Sequence, residues 1–340
     1  MSWQEFLRTQ GGRIEESGEI AFADTGAAAL DGVALVPLTH HGLIRFSGEE
    51  TVAFLHGQLS SDLKKLPQNT IQYSSYSTPK GRMLASFLVL RDGVDLLLET
   101  PRPLLPALQK RLSMFVLRAK TRASDASEER VLLGLAGTRA LTLAESVFGE
   151  LPAEPMRGKP IDAGMLWRLG GDRIELVLTP ELAPTIWQRL TEAGATPAGT
   201  AVWNLSDIRT GIVWVVPGNQ EEFVPQMANM DLLGAISFNK GCYPGQEIVA
   251  RTHYLGKLKR RAFRVRANGP IEPGQEVFST EMQGQPSGRI ALAAPADDGH
   301  WEALVVVQIS STQHPLHLGS LDGMPLELLD LPYPVRGPND

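Results

Sequence analysis

The chain has little of what would place it at once in several large functional classes. Its 340 residues include a single cysteine, so no internal disulfide framework can hold the fold and no multi-cysteine zinc site can form within it. That usage suits a reducing compartment. The seven histidines (His40, His41, His56, His253, His300, His314, His317) show no H-x-x-x-H spacing. The adjacent pair His40–His41 would point opposite ways in a strand, a poor start for a shared metal. No excess of positive charge exists: the net charge of −6 argues against broad attraction to nucleic acid or anionic membrane, though a local basic patch could still act. No apolar run approaches the length needed to cross a bilayer. The first twenty residues carry Glu5, Glu15, Glu16 and Glu19 without an apolar run, so no secretory or import segment is readable. We expect a soluble, cytoplasmic protein.

What is present reads as a globular chain of two or three compact units, since its length exceeds what one hydrophobic core usually serves. Residues 33–46 read as extended. Ser47-Gly48-Glu49-Glu50 then has the capping-box pattern, with Val52, Leu55, Leu59 and Leu63 following at helical spacing. Strand-like runs at 71–77, 84–91 and 94–99 are separated by Pro79-Lys80-Gly81 and by Asp92-Gly93, and a Leu-rich helix is expected over 104–116. A similar order returns: strand 131–136, helix 138–148, strands 165–169 and 173–178 about Gly170-Gly171-Asp172, and helix 181–193. Two successive β-α-β-β-α units suggest a pair of ferredoxin-like α+β subdomains. From about 258 onward, short apolar runs (262–265, 276–278, 289–293, 302–309) alternate with Gly, Pro and Asp turns, as in a small β-barrel or sandwich.

Residues 223–256, FVPQMANMDLLGAISFNKGCYPGQEIVARTHYLG, hold the segment with chemistry in it. Cys242 sits in a turn between Gly241 and Tyr243, with Pro244 and Gly245 beyond, amid Lys240, Gln246, Glu247 and Arg251. A thiol held beside fixed cations can become a nucleophile or a metal ligand. Free cysteine is also among the most commonly buried residue types, so a packing role stands beside the functional one.

The run Lys240-Gly241-Cys242-Tyr243-Pro244-Gly245-Gln246-Glu247 resembles the signature K-G-C-[aromatic]-x-G-Q-E of the YgfZ family, matching at all seven specified positions. Phe223-Val224-Pro225-Gln226 and Val249-Ala250-Arg251 fit on either side. The resemblance covers roughly residues 33–333. It implies a GcvT-like fold, that of the T-protein of the glycine cleavage system. A folate-binding region would occupy 1–256, with subdomains at about 30–125 plus 200–256 and at 126–199. A C-terminal small β-barrel at 257–333 and a tail at 334–340 would follow. It further implies tetrahydrofolate, or a folate derivative, as cofactor, and a role supporting iron–sulfur cluster proteins or their assembly factors, including those that modify tRNA. Cys242 would then be the functional thiol, with Lys240 and Glu247 beside it. Trp203, Arg82, Gln246, Tyr243 and Arg251 would bind the folate.

Two departures narrow this. T-proteins carry an acidic pair in a run resembling G-G-I-V-D-D-L, where this chain has Gly81-Arg82-Met83-Leu84-Ala85-Ser86-Phe87. Neither Ala85 nor Ser86 can serve as a carboxylate base, which speaks against aminomethyl transfer by that route. Where the family reads I/L-E-A-G, Asp207-Ile208-Arg209-Thr210-Gly211 puts Arg209, a donor only, in the place of an acceptor for the pterin. Trp203 could stack on a flat heteroaromatic ring or be a core residue of the helix at 200–210. Lys80-Gly81-Arg82 could bind folate carboxylates or be a solvated hairpin tip. The basic run Lys257, Lys259, Arg260, Arg261, Arg264, Arg266 could line a solvated junction or meet a polyglutamate tail or RNA phosphate.

Three readings stay open: a folate-binding accessory protein, a folate-dependent one-carbon transferase or demethylase, and a protein whose Cys242 is a redox or cluster-transfer thiol. Direct nucleic-acid binding and membrane association are not expected. No sustained heptad or apolar seam is present, so a monomer is the expectation.

Overall fold

The computed structural model describes residues 1–23, 26–254, 256 and 258–335, with only the backbone of Asp298. Lys257 of the basic run and residues 336–340 of the expected tail lie outside the described residues. Backbone contacts divide the chain into two units: 1–51, 66–72 and 88–206 form the first, and 52–65, 73–87 and 207–340 the second.

Both expected ferredoxin-like repeats are present. The earlier one gives a five-stranded sheet in the order Gln72–Ser77, Met83–Asp92, Asp95–Pro101, His41–Ser47, Arg122–Asp125. Its Asp92↔Asp95 pairing closes the hairpin through Gly93, whose φ of 65° is the left-handed conformation such a turn demands. The later repeat gives a six-stranded sheet: Arg157–Ile161, Gly164–Leu169, Arg173–Leu178, Val131–Ala136, Ala34–Pro37, Thr196–Pro197. Val131–Ala136 and Arg173–Leu178 are buried at every position, as continuous rather than alternating apolar patterns require. Helices Ala140–Phe148 and Ala183–Glu192 cover one side through Leu143, Ala144, Ile186, Trp187 and Leu190.

The helix expected to open at Ser47 begins later, at Thr51. Ser47 still pairs with Arg122 as the last residue of its strand, and the Glu50 carboxylate accepts the Lys120 N–H at 2.6 Å. The carboxylate of the supposed capping box is thus spent on a neighbouring loop. The paired histidines also depart from expectation. His40 precedes the strand, so the two rings do not diverge but lie 4.3 Å apart. Among the described residues no cluster of three or more metal-ligating side chains occurs. Among the same residues no helix is long and apolar enough to cross a membrane.

Beyond Lys259 the chain forms a closed six-stranded barrel from Arg260–Ala267, Glu276–Ser279, Pro286–Pro295, Trp301–Gln308, Leu316–Leu318 and Met324–Leu329. The last two strands, short and broken by Pro325, gave no periodic signal, yet they close the barrel and remove its edges. Val265, Val277, Ile290, Val305 and Val307 fill it.

Charge is used structurally in both units. In the second, Glu302 is buried between two guanidinium groups, Arg209 at 2.9 Å and Arg264 at 2.8 Å. Arg261 binds Asp231 through two bonds of 2.6 and 2.9 Å and also donates to the Gln226 carbonyl. Much of the basic run is therefore engaged within its own unit. In the first unit, His41 bonds Glu99, and Glu175 lies against Glu99 in the same buried cluster. Burial, followed by the neighbouring Glu99 charge, holds the Glu175 carboxyl well above the usual carboxylate range.

Two outcomes follow. Glu302→Ala leaves two facing guanidinium groups without their carboxylate and should cost about 3 kcal/mol in urea denaturation. Glu175, with its folded pKa raised, contributes stability that is present below its unfolded pKa and lost as pH rises through the folded value. Denaturation of the wild type and Glu175→Gln between pH 5 and 9 should show a gap that widens with pH in favour of the glutamine variant.

Candidate functional site

The segment carrying Cys242 lies in the second unit, and its geometry is set by a lysine. Lys240 is 8% exposed, and its ammonium donates to three main-chain carbonyls: those of His56 and Leu59, and that of Ser61 at 3.1 Å. The short helix Thr51–His56 ends there, where unpaired carbonyls concentrate partial negative charge. The same ammonium lies 4.7 Å from the ring centre of Tyr243. Burial lowers the Lys240 pKa to about 8 and raises that of the buried Tyr243 phenol to about 12. With its three N–H groups matched to three carbonyls, Lys240 is a clamp on the turn.

Past that anchor the chain emerges. Cys242 is exposed and free. Gly245, with a φ of +81°, brings the turn back against the hairpin tip at Gly81, whose φ is +75°. A Cβ on Gly245 would stand 2.7 Å from the Thr78 carbonyl oxygen and 2.8 Å from Gly81 Cα, and a Cβ on Gly81 would stand 2.9 Å from Ile248 Cβ. The two glycines permit a close approach that no side chain would allow. The hairpin tip is itself closed by the Gly81 N–H on the Thr78 carbonyl at 2.9 Å and the Thr78 N–H on the Arg82 carbonyl at 2.8 Å.

Helix Gln246–Tyr254 starts directly from this turn, with Glu247 in its first turn and Arg251 in its last. Glu247 and Arg251 are exposed and Gln246 is half-buried. The helix is held from below by Gln226, a residue of the flanking FVPQ run, whose amide donates to the Val249 carbonyl at 2.6 Å. Arg82 is exposed, with its guanidinium on the Glu222 carbonyl. The structure thus gathers Lys240, Cys242, Tyr243, Gln246, Glu247 and Arg251 around one turn, with Arg82 on the hairpin packed against it. His56, Leu59 and Ser61 complete the anchor through carbonyl groups, which sequence reasoning could not single out because any residue type supplies one.

Trp203 belongs to the other unit and is 2% exposed. Its ring lies over Gly134, where an added Cβ would come within 2.3 Å, and the Arg173 guanidinium sits 5.1 Å from the ring centre. The side chain is thus packed in the core of its own unit. Ala85 and Ser86 are also buried, and the Ser86 hydroxyl accepts the Val215 N–H at 2.8 Å. Ser86 is thus given over to backbone support. Arg209 has become the partner of Glu302 described above.

No protein-family model matches the chain. It is 32% identical over 279 residues to the tRNA-modifying protein YgfZ of Colwellia psychrerythraea, covering 80% of this chain and 84% of that one. The chain belongs to the YgfZ family. A second member, from Hamiltonella defensa, is 31% identical over 67% of this chain and 68% of its own length. A putative chloroplastic transferase of Arabidopsis thaliana is 27% identical over 80% of this chain and 67% of its own. Among solved structures, the aminomethyltransferase T of the Bartonella henselae glycine cleavage system superposes with a TM-score of 0.78 over 96% of each chain at 18% identity. The YgfZ family chain therefore has the aminomethyltransferase T fold.

Replacing Lys240 by methionine keeps its bulk but removes the donors from three carbonyls. The variant should lose about 3 kcal/mol in urea denaturation, at the 1–3 kcal/mol typical of each buried group left unsatisfied. In the wild type, NMR of the Lys240 Nζ should show a titration midpoint near 8 rather than above 10.

Proposed function

We propose that this protein is a folate-binding accessory factor that supports iron–sulfur enzymes, those modifying tRNA among them, with Cys242 as its working thiol. The observation that carries this is the placement of Cys242: an exposed thiol on a turn fixed by a buried lysine and by two glycines in close approach. A packing cysteine would be buried in an apolar run; this one faces solvent. Membership of a family whose members are named tRNA-modifying proteins supports the setting of that thiol. A sole, exposed, unpaired cysteine also suits the reducing cytoplasm.

Tetrahydrofolate is the cofactor this reading implies. The exposed Arg82 and Arg251 would take its glutamyl carboxylates, since guanidinium groups hold carboxylates by paired hydrogen bonds. Ile248 touches the hairpin tip at Gly81, and Arg251 lies one helical turn beyond on the same side, so the two cations are carried by elements already in contact. The folate would supply one-carbon chemistry or serve as a structural ligand. The chain's own part is to hold its tail and present Cys242. With Ala85 and Ser86 in the acidic positions, no carboxylate there can accept a proton from an amine. This favours an accessory role over aminomethyl transfer.

Two measurements test the proposal. Calorimetric titration with tetrahydrofolate should show saturable binding that weakens about tenfold or more in Arg82→Ala/Arg251→Ala, the loss of charge-assisted bonds to a carboxylate. Cys242→Ser should keep stability within about 0.5 kcal/mol of wild type, as exposed positions generally do. It should nevertheless fail to restore modified tRNA nucleosides, read by mass spectrometry, in cells lacking the protein. Full restoration by the serine variant would remove the thiol from the mechanism.

A further inference from the structure

The first unit carries a surface that the Cys242 site does not use. From Pro101 to Ser124 the sequence holds six cations (Arg102, Lys110, Arg111, Arg118, Lys120, Arg122) and no acid, in a chain of net charge −6. This stretch is helix Leu105–Val116, a short loop, and the start of Arg122–Asp125, the edge strand of the five-stranded sheet. The helix buries Leu105, Leu108 and Leu112. At its end the pattern breaks: Met114, Phe115 and Leu117 are 59%, 46% and 87% exposed. Leu117 also holds a φ of 48° at the helix end, a positive φ that L side chains rarely adopt.

Around these apolar groups stand cations with little to neutralise them. Lys110, Arg118 and Arg122 are exposed and, among the described residues, have no carboxylate within ion-pair distance, while the Lys120 ammonium meets the exposed Glu49 at 3.3 Å and its main-chain N–H the Glu50 carboxylate. The Arg111 guanidinium lies 5.9 Å from the ring centre of Phe115. Cations near a helix C-terminus complement its partial negative charge, but Arg118, Lys120 and Arg122 lie beyond the helix. A merely solvated helix end would mix acids among its cations and would not leave three large apolar side chains in water.

We infer that the face from Lys110 to Arg122 binds single-stranded or loop RNA, phosphates lying on Lys110, Arg118, Lys120 and Arg122 and an unstacked base resting on Phe115. The combination is the one such RNA requires: cations strung along the backbone path and an aromatic ring, backed by a guanidinium, for a base. An acidic protein segment would use the charges but has no comparable need for the aromatic platform. The face lies in a different part of the chain from Cys242, Arg82 and Arg251. RNA binding therefore does not depend on folate binding, and either can fail without the other.

The test uses the full-length protein and unfractionated transfer RNA, with binding followed by fluorescence anisotropy between 50 and 200 mM salt. Four phosphate contacts predict a log–log salt slope of about −3, close to a fiftyfold loss of affinity over that range. Lys110→Glu/Arg118→Glu/Arg122→Glu should weaken binding at least tenfold and flatten the slope. The same variant should keep wild-type tetrahydrofolate affinity and melting temperature. Phe115→Ser should weaken RNA binding about tenfold with the slope unchanged, as loss of a stacking contact rather than a phosphate contact. No transfer-RNA binding by the wild type at 50 mM salt would overturn the inference. So would a charge-reversal variant within twofold of wild type. Binding of poly-L-glutamate in place of RNA would assign the face to an acidic protein and overturn it equally.

Discussion

One ammonium group organises the turn that carries the exposed cysteine. Lys240 meets three carbonyls where a short helix ends, and each of its three N–H bonds has a taker. A buried cation is tolerable only when such partners replace its hydration, and the fall of its pKa to about 8 measures how incompletely they do so. The cost is accepted at one point so that the next residues, Gly241 and Cys242, can stand in solvent on a rigid base. The packing of Gly245 against Gly81 does the same from the other side of the turn. Rigidity and exposure, usually opposed in loops, are obtained together.

The residues at which this chain departs from the expected T-protein pattern share a physical theme. Both serve the framework: Ser86 supports the Val215 amide, and Arg209 neutralises the buried Glu302 of the barrel. A catalytic group must face its substrate, whereas these side chains point at their own protein.

Much of this was legible in the residues. The continuous apolar runs at 131–136 and 173–178, the Asp92-Gly93 turn and the helix at 104–116 were readable because local pattern and tertiary environment agree there. The K-G-C-Y-P-G-Q-E turn singled out Cys242 but left a packing role open, and its exposure comes from the structure. What escaped did so for identifiable reasons. The closing barrel strands Leu316–Leu318 and Met324–Leu329 are too short, and too interrupted, to show a period. The late start of the helix at Thr51 depends on Glu50 reaching the amide of Lys120, a contact seventy residues away in sequence. The burial of Trp203 could not be read locally, because it depends on the absence of a side chain at Gly134 beneath it. The clamp role of Lys240 could not be read at all, since carbonyl groups leave no mark in a sequence.

That the chain has one sulfhydryl, and that it faces solvent, also fixes the kinetics of anything attached to it. A second thiol nearby normally resolves a sulfenic acid or a mixed disulfide within the same molecule, in a first-order step. Here no such neighbour exists. Every adduct at Cys242 must therefore wait for a thiol from elsewhere, so its lifetime is set by the concentration of outside reductant or partner. The modified state becomes a readout of its surroundings, and any covalent label on cysteine reports from a single known address.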